Sequence, residues 1–311
     1  MAFQFNFDIG QEQDDDTATV GSASGHGKSD NIVDDKSKTR EVLRPAKELY
    51  APSTLTAHDE SCEVESLRIG DLELFFLNPE DVEFDRLLNS IESDSDFFKA
   101  MESHSDLIPD VYEGGLKVWE CSIDLARFLH EAEIPLRNKK VLELGCGAGL
   151  PGIYAVKKGA VAVHFQDYNE EVIEHMTIPS VMLNQKGGGP TNRELRFFAG
   201  DWSLVQKLVS AHLDTKYDVI LTSETIYSVE SHDKLYQILR ALLSPNGEIY
   251  IAAKTHYFGV GGGTRIFEGL VRQHKEFHIE VCKAFTEGVN REILKMVFLE
   301  TSENSKEVQP V

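Results

Sequence analysis

The sequence predicts an α/β fold built on a doubly wound, mostly parallel sheet. Strand and helix patterns alternate from Lys139 onward, and a glycine-rich turn at 145–149 joins the first of these strands directly to a helix. Alternation over this length implies right-handed βαβ units with helices on both faces of the sheet. The last two strands are separated only by a short connection around Gly288, so they must run antiparallel. We therefore expect a Rossmann-like sheet of seven strands with an antiparallel last strand.

Apolar periodicity and turn residues set the expected boundaries of the elements. Val141 and Leu144 are typical of a buried strand, and the turn Pro245-Asn246-Gly247 is expected just before the fifth strand. Strands are predicted at 139–144, 161–166, 195–199, 217–222, 247–253, 277–283 and 293–299. Helices are predicted at 119–131, 150–158, 170–184, 203–212, 231–243 and 264–274.

Composition divides the chain into four segments. They are a disordered N-terminus (1–45), an acidic and partly ordered extension (46–113), the folded domain (114–300) and a disordered tail (301–311). The N-terminus is rich in Asp, Gly, Ser, Thr and Lys and has too little apolar surface to fold. Within the extension, 67–69 and 72–76 are predicted to form a strand pair, and 79–101 to form one or two short helices.

Charge and cysteine content limit the function classes. The formal net charge is −21, so direct binding to duplex nucleic acid is not expected. Residues 57–113 hold 17 acidic and three basic side chains, and they would either stay solvated or hold a basic partner. No apolar run is long enough for a membrane span, and no signal peptide is recognisable. The four cysteines are scattered without a C-x-x-C pair, which is typical of a reduced, intracellular protein without a metal site.

The glycine-rich turn is the strongest indication of a ligand site. Its glycines allow positive φ and a close approach of a ligand, and the helix that follows offers free N–H groups. Gly147-x-Gly149-x-x-Gly152 fits the dinucleotide fingerprint, which alone is a weak signal. Glu143, two residues before Gly145, would face a pyrophosphate badly. It suits instead the cationic amino-acid end of S-adenosylmethionine.

The second and third strands end in residues suited to an adenosine group. The second runs into Asp167, whose carboxylate would accept hydrogen bonds from both ribose hydroxyls of NAD or S-adenosylmethionine, and Tyr168 would pack on the adenine. The third ends at Gly200, Asp201 and Trp202, where an acid and an aromatic ring suit the adenine amino group and ring face. Ligands of doubly wound sheets bind outside the carboxyl ends of the strands, where these residues fall.

Two tryptophans and the end of the sheet favour S-adenosylmethionine over a dinucleotide. Trp119 would cap the pocket or contact the sulfonium by a cation–π interaction worth roughly 0.5–2 kcal/mol. Packing in the core accounts for Trp119 or Trp202 equally well when each is taken alone. A dehydrogenase usually continues with parallel strands and a separate substrate domain, whereas this sheet ends in an antiparallel pair.

Five segments resemble the protein-histidine N-methyltransferases of the seven-β-strand class: SHSDLIPDVYEGGLKVWECS, VLELGCGAGLPGI, HFQDYN, ILTSETIY and HYFGVGGG. The resemblance is close from about Ser103 to Leu299, includes the start MAFQFNF, and is poor over residues 8–100. It implies the class I methyltransferase fold. It also implies cofactor contacts at Val118, Trp119, Glu120, Cys121, Ser122, Gly145, Gln166, Asp167, Tyr168, Gly200, Asp201, Trp202 and Ser223.

The resemblance further implies an activity and a partner. Members of the family transfer a methyl group from S-adenosylmethionine to the distal ring nitrogen of a histidine in a large-subunit ribosomal protein, ribosomal protein L3. This modification would tune ribosome assembly or translation. We therefore expect a monomeric enzyme that acts on a basic ribosomal protein, in the cytoplasm and the nucleus, including the nucleolus.

Catalytic residues are expected in the loop after the fourth strand. Neutral imidazole already has a free lone pair, so the enzyme must mainly align it and decide which nitrogen keeps the proton. Glu224, in the segment SETIY, would accept a hydrogen bond from the proton-bearing ring nitrogen and stabilise the imidazolium. Tyr227, in the same segment, would line the substrate channel. Alternatively, Glu224 caps the following turn and Tyr227 packs in the core.

A loop after the fifth strand is a candidate for contacting the substrate. The segment HYFGVGGG places His256, Tyr257 and Phe258 beside three consecutive glycines, which favour a flexible loop. With its aromatic residues over the site, the loop would form a substrate-gripping lid. His256 is expected to be a structural loop histidine, and the alternatives are a proton acceptor and a self-methylation site.

Three other functions stay open on the sequence. They are a lysine or other protein N-methyltransferase of the same fold, a non-catalytic protein whose acidic extension holds a basic ribosomal protein, and a dehydrogenase. Glu143 and Asp167 are both present, which argues against a dead cofactor site.

Overall fold

The computed structural model describes five stretches of the chain, residues 43–55, 61–80, 107–185, 193–212 and 216–299. Most of the segment predicted to be disordered, most of the helices predicted within 79–101 and the whole predicted tail lie outside these residues. The division into four segments stays a prediction. Among the helices of the described stretches, none is both long and apolar enough to cross a membrane.

The centre of the fold is a mostly parallel sheet. In chain order the strands are β1 (Lys47–Leu49), β2 (Val64–Ile69), β3 (Leu72–Leu77), β4 (Lys140–Leu144), β5 (Ala162–Asp167), β6 (Glu194–Ala199), β7 (Tyr217–Ser223), β8 (Leu243–Lys254), β9 (Phe277–Phe285) and β10 (Arg291–Phe298). β2 and β3 form a hairpin, and the other strands lie in the order β1-β6-β5-β4-β7-β8-β10-β9. β4 to β8 pair in parallel, and β10 is antiparallel to both of its neighbours. The predicted fold class is confirmed.

β1 is a strand that the sequence patterns do not reveal. It pairs antiparallel with β6 and adds an eighth strand to the seven predicted, at the edge of the sheet. A strand of three residues in a polar segment is too short to show an alternation of apolar and polar residues. Leu49 is buried, and the Glu48 carboxylate accepts two hydrogen bonds of 2.7 Å from Arg196. These contacts hold β1 in place although it is short.

β8 begins earlier than predicted. Pro245, Asn246 and Gly247 lie within the strand and not before it. The pairing with β7 shifts register between Tyr217 and Val219, so β8 bulges there and absorbs the turn residues. A proline is tolerated inside a sheet at such a bulge, because no ladder hydrogen bond is required from it.

Helices cover both faces of the sheet. They are α1 (Glu120–Glu131), α2 (Leu150–Lys157), α3 (Glu170–Val172), α4 (Ile178–Leu183), α5 (Trp202–His212), α6 (His232–Leu242) and α7 (Thr264–His274). α1, α2 and α4 pack on one face, whereas α5, α6 and α7 pack on the other. The helix predicted at 170–184 is interrupted by a π-helical turn at Ile173–Thr177. The other predicted helices agree with the structure to within one or two residues.

The β2–β3 hairpin is the described part of the acidic extension, and it packs on the α1–α2–α4 face. Leu74, Phe76 and Leu77 are buried in the same core as these helices. Asn184, just after α4, bonds the backbone of Phe75 twice, because it accepts from the amide at 3.0 Å and donates to the carbonyl at 2.6 Å. The hairpin is therefore fastened to the helical layer by both apolar and polar contacts.

Candidate cofactor and acceptor site

A cavity of roughly 920 Å³ opens where the carboxyl ends of β4, β5, β6 and β7 meet. This edge is where doubly wound sheets bind ligands. The predicted site residues that line it are Val118, Trp119, Ser122, Gly145, Gly147, Gly149, Asp167, Tyr168, Asp201, Trp202, Ser223, Glu224 and Tyr227. The remaining predicted residues do not line it, and these are Glu120, Cys121, Glu143, Gln166, Gly200, His256, Tyr257 and Phe258.

The glycine turn between β4 and α2 forms one wall of the cavity. Gly145, Gly147 and Gly149 all have positive φ, between 49° and 75°. The amide of Gly147 donates to Asp167 Oδ2 at 2.9 Å, and a Cβ on Gly147 would lie 2.9 Å from the carbonyl oxygen of Gly115. The backbone itself is therefore the ligand-facing surface at this turn.

Glu143 lies behind the glycine turn and does not face the cavity. Its Oε2 accepts a 2.8 Å hydrogen bond from the amide of Gly152, and its Oε1 has no hydrogen-bond partner among the described residues. Burial raises the pKa of the Glu143 carboxyl well above its ordinary value. A Cβ on Gly152 would lie 2.5 Å from this carboxylate and 2.4 Å from Phe165. In this position Glu143 holds the start of α2 against β4, and its contact with a cationic ligand stays a prediction.

Asp167 ends β5 with its carboxylate on the cavity wall. Oδ2 accepts from Gly147, and Oδ1 accepts from the amide of Asn169 at 3.3 Å. Burial raises the pKa of Asp167 to about 6, and the backbone donors oppose this rise. Each oxygen keeps acceptor capacity for a further donor, which suits a pair of ribose hydroxyls.

Gln166 and Gly200 connect neighbouring strand ends behind the cavity wall. Gln166 Nε2 donates to the carbonyl of Asp167 at 2.7 Å and to that of Gly200 at 3.0 Å. Gln166 Oε1 accepts a 2.8 Å bond from Trp202 Nε1. Gln166 therefore acts on the site through Trp202, whose ring it orients, and not by direct contact.

Asp201 lines the cavity but is already engaged within the protein. Oδ1 accepts a 2.8 Å bond from the amide of Ser203 and so caps α5, and Oδ2 accepts a 3.1 Å bond from Lys234 Nζ. The contact predicted between Asp201 and an adenine amino group would share these oxygens with Ser203 and Lys234.

The predicted contact segment 118–122 is split by the start of α1. Successive residues of a helix point about 100° apart, so neighbours cannot all face one ligand. Glu120 points towards Arg291, with 3.1 Å between Oε2 and Nη1, and Cys121 is fully buried in the core. Both predicted contacts are corrected by this geometry.

The Trp119 ring lies on the cavity wall next to two ammonium groups. Its Nε1 donates to the carbonyl of Gly114 at 2.9 Å. The Nζ atoms of Lys117 and Lys254 lie 4.8 Å and 5.3 Å from the ring centre. A cation–π contact between this ring and a bound sulfonium would therefore compete with two resident cations.

Glu224 follows β7 in a left-handed backbone conformation, with φ of 57°, which residues other than glycine rarely adopt. Its amide donates to the carbonyl of Ala252 at 2.9 Å, and its Oε2 accepts a 2.5 Å bond from the hydroxyl of Tyr257. Oε1 has no hydrogen-bond partner among the described residues, and Lys254 Nζ lies 3.9 Å away. Glu224 lines the cavity, and its buried Oε1 keeps unused capacity to accept a hydrogen bond.

Lys254 and Tyr257 define the surroundings of the Glu224 carboxylate. The Lys254 side chain is 6% exposed, and its Nζ lies 5.5 Å from the centre of the Tyr257 ring. Burial and the nearby Glu224 carboxylate raise the pKa of Tyr257 well above its ordinary value, so its hydroxyl remains a donor. Burial and the same carboxylate raise the pKa of the Cys121 thiol.

Tyr227 joins two walls of the cavity. Its hydroxyl donates to Glu113 Oε2, and Glu113 Oε1 accepts a 2.8 Å bond from the amide of Asp110. Burial raises the pKa of Glu113 to about 7, and the carboxylates of Asp110 and Asp167 add to the rise. The segment after β7 and the segment before α1 are thereby linked through one carboxylate.

The loop after β8 is fixed to the segment after β7. The amide of Gly262 donates to the carbonyl of Tyr227 at 2.8 Å, and that of Gly263 to the carbonyl of Ile226 at 3.0 Å. A Cβ on Gly262 would lie 2.1 Å from the Tyr227 carbonyl oxygen. The glycines permit this close backbone contact, and the flexibility of the loop stays a prediction.

The aromatic residues of this loop point in different directions. Tyr257 is buried against Glu224, whereas Phe258 is 78% exposed. The exposed His256 ring meets the Phe258 ring edge-on, with 4.7 Å between the ring centres. The predicted substrate loop therefore contributes one residue to the interior and two to the surface.

Several charged residues near the site were not predicted for it, and two of them, Glu113 and Lys254, contact predicted residues. Glu113 lies in the segment DVYEGGLKVWE, where an acid before a Gly-Gly turn was a usable signal. Lys254 ends the apolar run IYIAAK of β8, and a charge at the carboxyl end of a buried parallel strand also marks the ligand edge of the sheet. The sequence around neither residue indicates its partner, which is Tyr227 for Glu113 and Glu224 for Lys254.

Fold and site together define a class I methyltransferase architecture. Its parallel sheet continues into the antiparallel strand β10, and a cavity lies at the carboxyl ends of the parallel strands. A glycine turn and Asp167 lie on one side of this cavity, and the Glu224 carboxylate lies on the other.

Comparison with known proteins agrees with this architecture. A model of a family described as lysine methyltransferase matches residues 109–262. Histidine protein methyltransferase 1 homolog of Bos taurus is 45% identical over 221 residues, covering 64% of this chain and 59% of that protein. The homolog of Dictyostelium discoideum is 47% identical over 203 residues, covering 65% and 63%. Histidine protein methyltransferase 1 of Schizosaccharomyces pombe is 31% identical over 247 residues, covering 66% and 71%.

The chain belongs to the histidine protein methyltransferase 1 family. The alignments span 59% and 63% of the length of the Bos taurus and Dictyostelium discoideum relatives.

Proposed function

We propose that the protein is an S-adenosylmethionine-dependent protein-histidine N-methyltransferase. It would methylate the distal ring nitrogen of a histidine in a basic large-subunit ribosomal protein, ribosomal protein L3. The observation that carries the proposal is the Glu224 carboxylate, which lies buried at the cavity wall with Oε1 unpartnered among the described hydrogen bonds. An imidazole N–H would satisfy this oxygen, and membership of the family supports histidine as the target.

The residues on the cofactor side fit S-adenosylmethionine. A Cβ on Gly147 would crowd Gly115, so this turn brings bare backbone up to a ligand, and Asp167 offers a carboxylate for ribose hydroxyls. Tyr168 and Trp202 supply ring surface for an adenine. When bound, S-adenosylmethionine supplies an electrophilic methyl group on its sulfonium.

Glu224 would select the nitrogen that reacts. Its Oε1 would accept the proximal N–H of the substrate imidazole and leave the distal nitrogen with its lone pair free. As the ring becomes positively charged, the carboxylate stabilises it, and the proximal proton then leaves through Glu224 or to solvent. Neutral imidazole predominates near pH 7 because its unperturbed pKa is about 6.5, so alignment matters more than a strong base.

Tyr257 and Lys254 would keep Glu224 in its working orientation. The Tyr257 hydroxyl occupies Oε2, which leaves Oε1 as the oxygen for the substrate. The Lys254 ammonium lies 3.9 Å from Oε1 and would attract the Glu224 side chain electrostatically. Neither residue lines the cavity, so their effect on the reaction would pass through Glu224.

The overall charge of the chain supports a basic protein as the substrate. The chain has a net charge of −21, which would attract a basic ribosomal protein and repel an acidic one. His256 and Phe258 expose their rings on the loop that is fixed beside the acceptor side of the site. We propose that the protein acts as a monomer in the cytoplasm and nucleus, where ribosomal proteins are made and assembled.

The test is methylation of recombinant, unmodified ribosomal proteins of the large subunit with labelled S-adenosylmethionine. Acid hydrolysis of the products should place the label in distal-nitrogen methylhistidine, and mass spectrometry should place it in one protein. Glu224→Gln serves as the inactive control, because it keeps the shape of the side chain and loses its charge. Label in methyllysine would contradict the choice of histidine, and no label in any protein would contradict the enzymatic activity.

Lysine is the second candidate target, because the matching family model is described as lysine methyltransferase. A carboxylate near the methyl donor would also accept a hydrogen bond from a lysine amine. Lysine differs in that its ammonium must first lose a proton, so its methylation would rise with pH well above 8. Histidine methylation would already reach its plateau about one pH unit above the imidazole pKa.

A further inference from the structure

The N-terminal segment crosses the cofactor end of the sheet before it enters β1. The carbonyl of Arg44 accepts a 3.2 Å hydrogen bond from the amide of the cavity residue Asp201. Pro45 packs so closely on the end of β6 that a Cβ on Gly200 would lie 2.3 Å from its carbonyl oxygen. Gly200 has φ of 117°, so both its conformation and its surroundings require glycine.

The Arg44 side chain spans three elements around this end of the cavity. Its guanidinium lies 5.4 Å from the centre of the Tyr168 ring, and Nη2 donates to the carbonyl of Val111 at 2.9 Å. Nη1 lies 3.5 Å from a carboxylate oxygen of Glu171 in α3. One side chain therefore connects the residue after β5, the segment before α1 and the helix that follows β5.

The contacts of Arg44 continue into the cavity wall. The Tyr168 hydroxyl donates to the carbonyl of Asp110 at 3.0 Å, and Asn169 Nδ2 donates to the carbonyl of Val111 at 2.8 Å. The amide of Glu113 in turn donates to Asn169 Oδ1 at 3.2 Å. The segment that carries Glu113 is thus held against the end of β5 by a small group of hydrogen bonds. Arg44 contacts two residues of this group, Val111 by a hydrogen bond and Tyr168 by a cation–π contact.

We propose that residues 44–49 form a strap over the cofactor end of the site and that Arg44 is a positioning residue for adenosine binding. Arg44 would fix the Tyr168 ring and the 110–113 segment in the arrangement that receives the ligand. The proposal rests on the proposed function, because it assigns the adenosine end of the cofactor to this part of the cavity. The family model begins at residue 109, so the strap lies outside the matched region.

Lys47 provides a matched control within the strap. Its ammonium pairs with Glu170, and the side chains of Lys47 and Glu170 are 57% and 36% exposed. An exposed ion pair contributes little to stability. Lys47→Ala therefore removes a cation of the strap without touching Tyr168, Val111 or the cavity.

The experiment is a titration of the full-length protein with S-adenosylhomocysteine in a calorimeter. Arg44→Ala should weaken binding about tenfold, since a cation–π contact and a charge-assisted hydrogen bond are lost, whereas Lys47→Ala should stay within about twofold of wild type. Arg44→Lys keeps the charge over the ring and should recover part of the affinity. In methylation assays the KM for S-adenosylmethionine should rise about tenfold in Arg44→Ala, with kcat nearly unchanged.

The outcomes separate this inference from the proposed function. Wild-type protein that does not bind S-adenosylhomocysteine would contradict the proposed function itself. Wild-type binding with equal affinity in Arg44→Ala would overturn the strap inference alone, as would a loss of affinity of the same size in Lys47→Ala. Melting curves without ligand, recorded for each variant, keep the titrations at temperatures where every variant is folded. If Arg44→Ala does not fold, Arg44→Lys and Arg44→Gln take its place, and unchanged affinity in both would overturn the inference.

Discussion

The two sides of the cavity are built in different ways. The cofactor side is a short continuous turn, in which glycines with positive φ and the carboxylate of Asp167 present themselves within a few residues of a strand end. The acceptor side brings together Glu224, Lys254 and Tyr257 from the ends of two strands and the following loop. A glycine contact at Gly262 then locks that loop onto the segment after β7.

The difference separates binding from selectivity. One local sequence motif can specify a turn made of backbone, and such a turn can bind any ligand that has the matching adenosine group. A carboxylate held by a tyrosine and a lysine from another strand must be assembled by the tertiary fold, and under the proposed function it would determine which group reacts. Changes on the acceptor side should therefore alter turnover and leave cofactor affinity intact, whereas changes on the cofactor side should do the reverse.

The largest effect is expected for Glu224→Gln. The amide cannot stabilise a developing imidazolium as a carboxylate does, so methylation should fall on the order of 10²–10³-fold. Affinity for S-adenosylhomocysteine, measured by calorimetry, should stay within about threefold because the glycine turn and Asp167 are untouched. Glu230→Gln is the control, since Glu230 is an exposed acid on the same segment. Equal losses of turnover and affinity would show that the two sides are not separate.

The second prediction concerns the contact that locks the acceptor loop. In Gly262→Ala the new Cβ would lie 2.1 Å from the Tyr227 carbonyl oxygen, so the loop must shift and carry Tyr257 away from Glu224. A misplacement of this kind should lower turnover about 10- to 100-fold with little change in cofactor affinity.

Gly269→Ala in α7 is the matched control for the loop. A Cβ on Gly269 meets nothing within 4 Å, and alanine is the better helix former, so this variant should be active and slightly more stable. Melting curves and initial rates on both variants complete the test. A Gly262→Ala protein with wild-type turnover would show that the loop position does not matter for Glu224.

The third prediction is a pH dependence on the cofactor side. Burial raises the pKa of Asp167 to about 6, and the ionised carboxylate is the form that accepts two ribose hydroxyls. At pH 5 only about a tenth of the groups would be ionised, so affinity for S-adenosylhomocysteine should fall about tenfold between pH 7.5 and pH 5. Asp167→Asn should bind more weakly and show a flatter profile. An equally steep profile in Asp167→Asn would assign the titration to another group, with Glu113 the first to examine.

The smallest effect is expected for Glu143→Gln. Burial raises the pKa of Glu143 well above its ordinary value, so the neutral acid and the amide differ little, and either accepts the bond from the amide of Gly152. Affinity for S-adenosylhomocysteine should change by less than about twofold. A loss of tenfold or more would support the direct contact with the cationic end of the cofactor that the sequence predicts.

The elements of the cofactor side can be predicted well from the sequence, because they are specified by residues that are close together along the chain. The strand before Gly145, the turn and the start of α2 follow one another, and periodicity placed most strands and helices to within one or two residues. The errors arise where neighbours in sequence face different directions. Glu120 and Cys121 share a segment with Trp119, but the start of α1 turns them away from the cavity.

The sequence carries the acceptor side only in part because its contacts are distant along the chain. Glu224 and Tyr227 are predicted as site residues because their segment follows the end of a strand. The hydrogen bond from Tyr257 to Glu224 is not predictable in this way, because it joins residues 33 positions apart. The three glycines at 261–263 look like a flexible linker until the Tyr227 carbonyl is placed against Gly262. β1 leaves no pattern either, since its partner β6 lies about 150 residues further along.

This pairing of β1 with β6 bears on the order in which the protein forms. Lys47 lies opposite Ala199, so the three residue pairs between β1 and β6 close the chain between them into one long loop. Synthesis delivers β1 long before β6 exists, and the entropy of closing so long a loop delays its docking until the rest of the sheet is in place. The cofactor end of the sheet should therefore be completed by a strand that is made before β6 and docks after it.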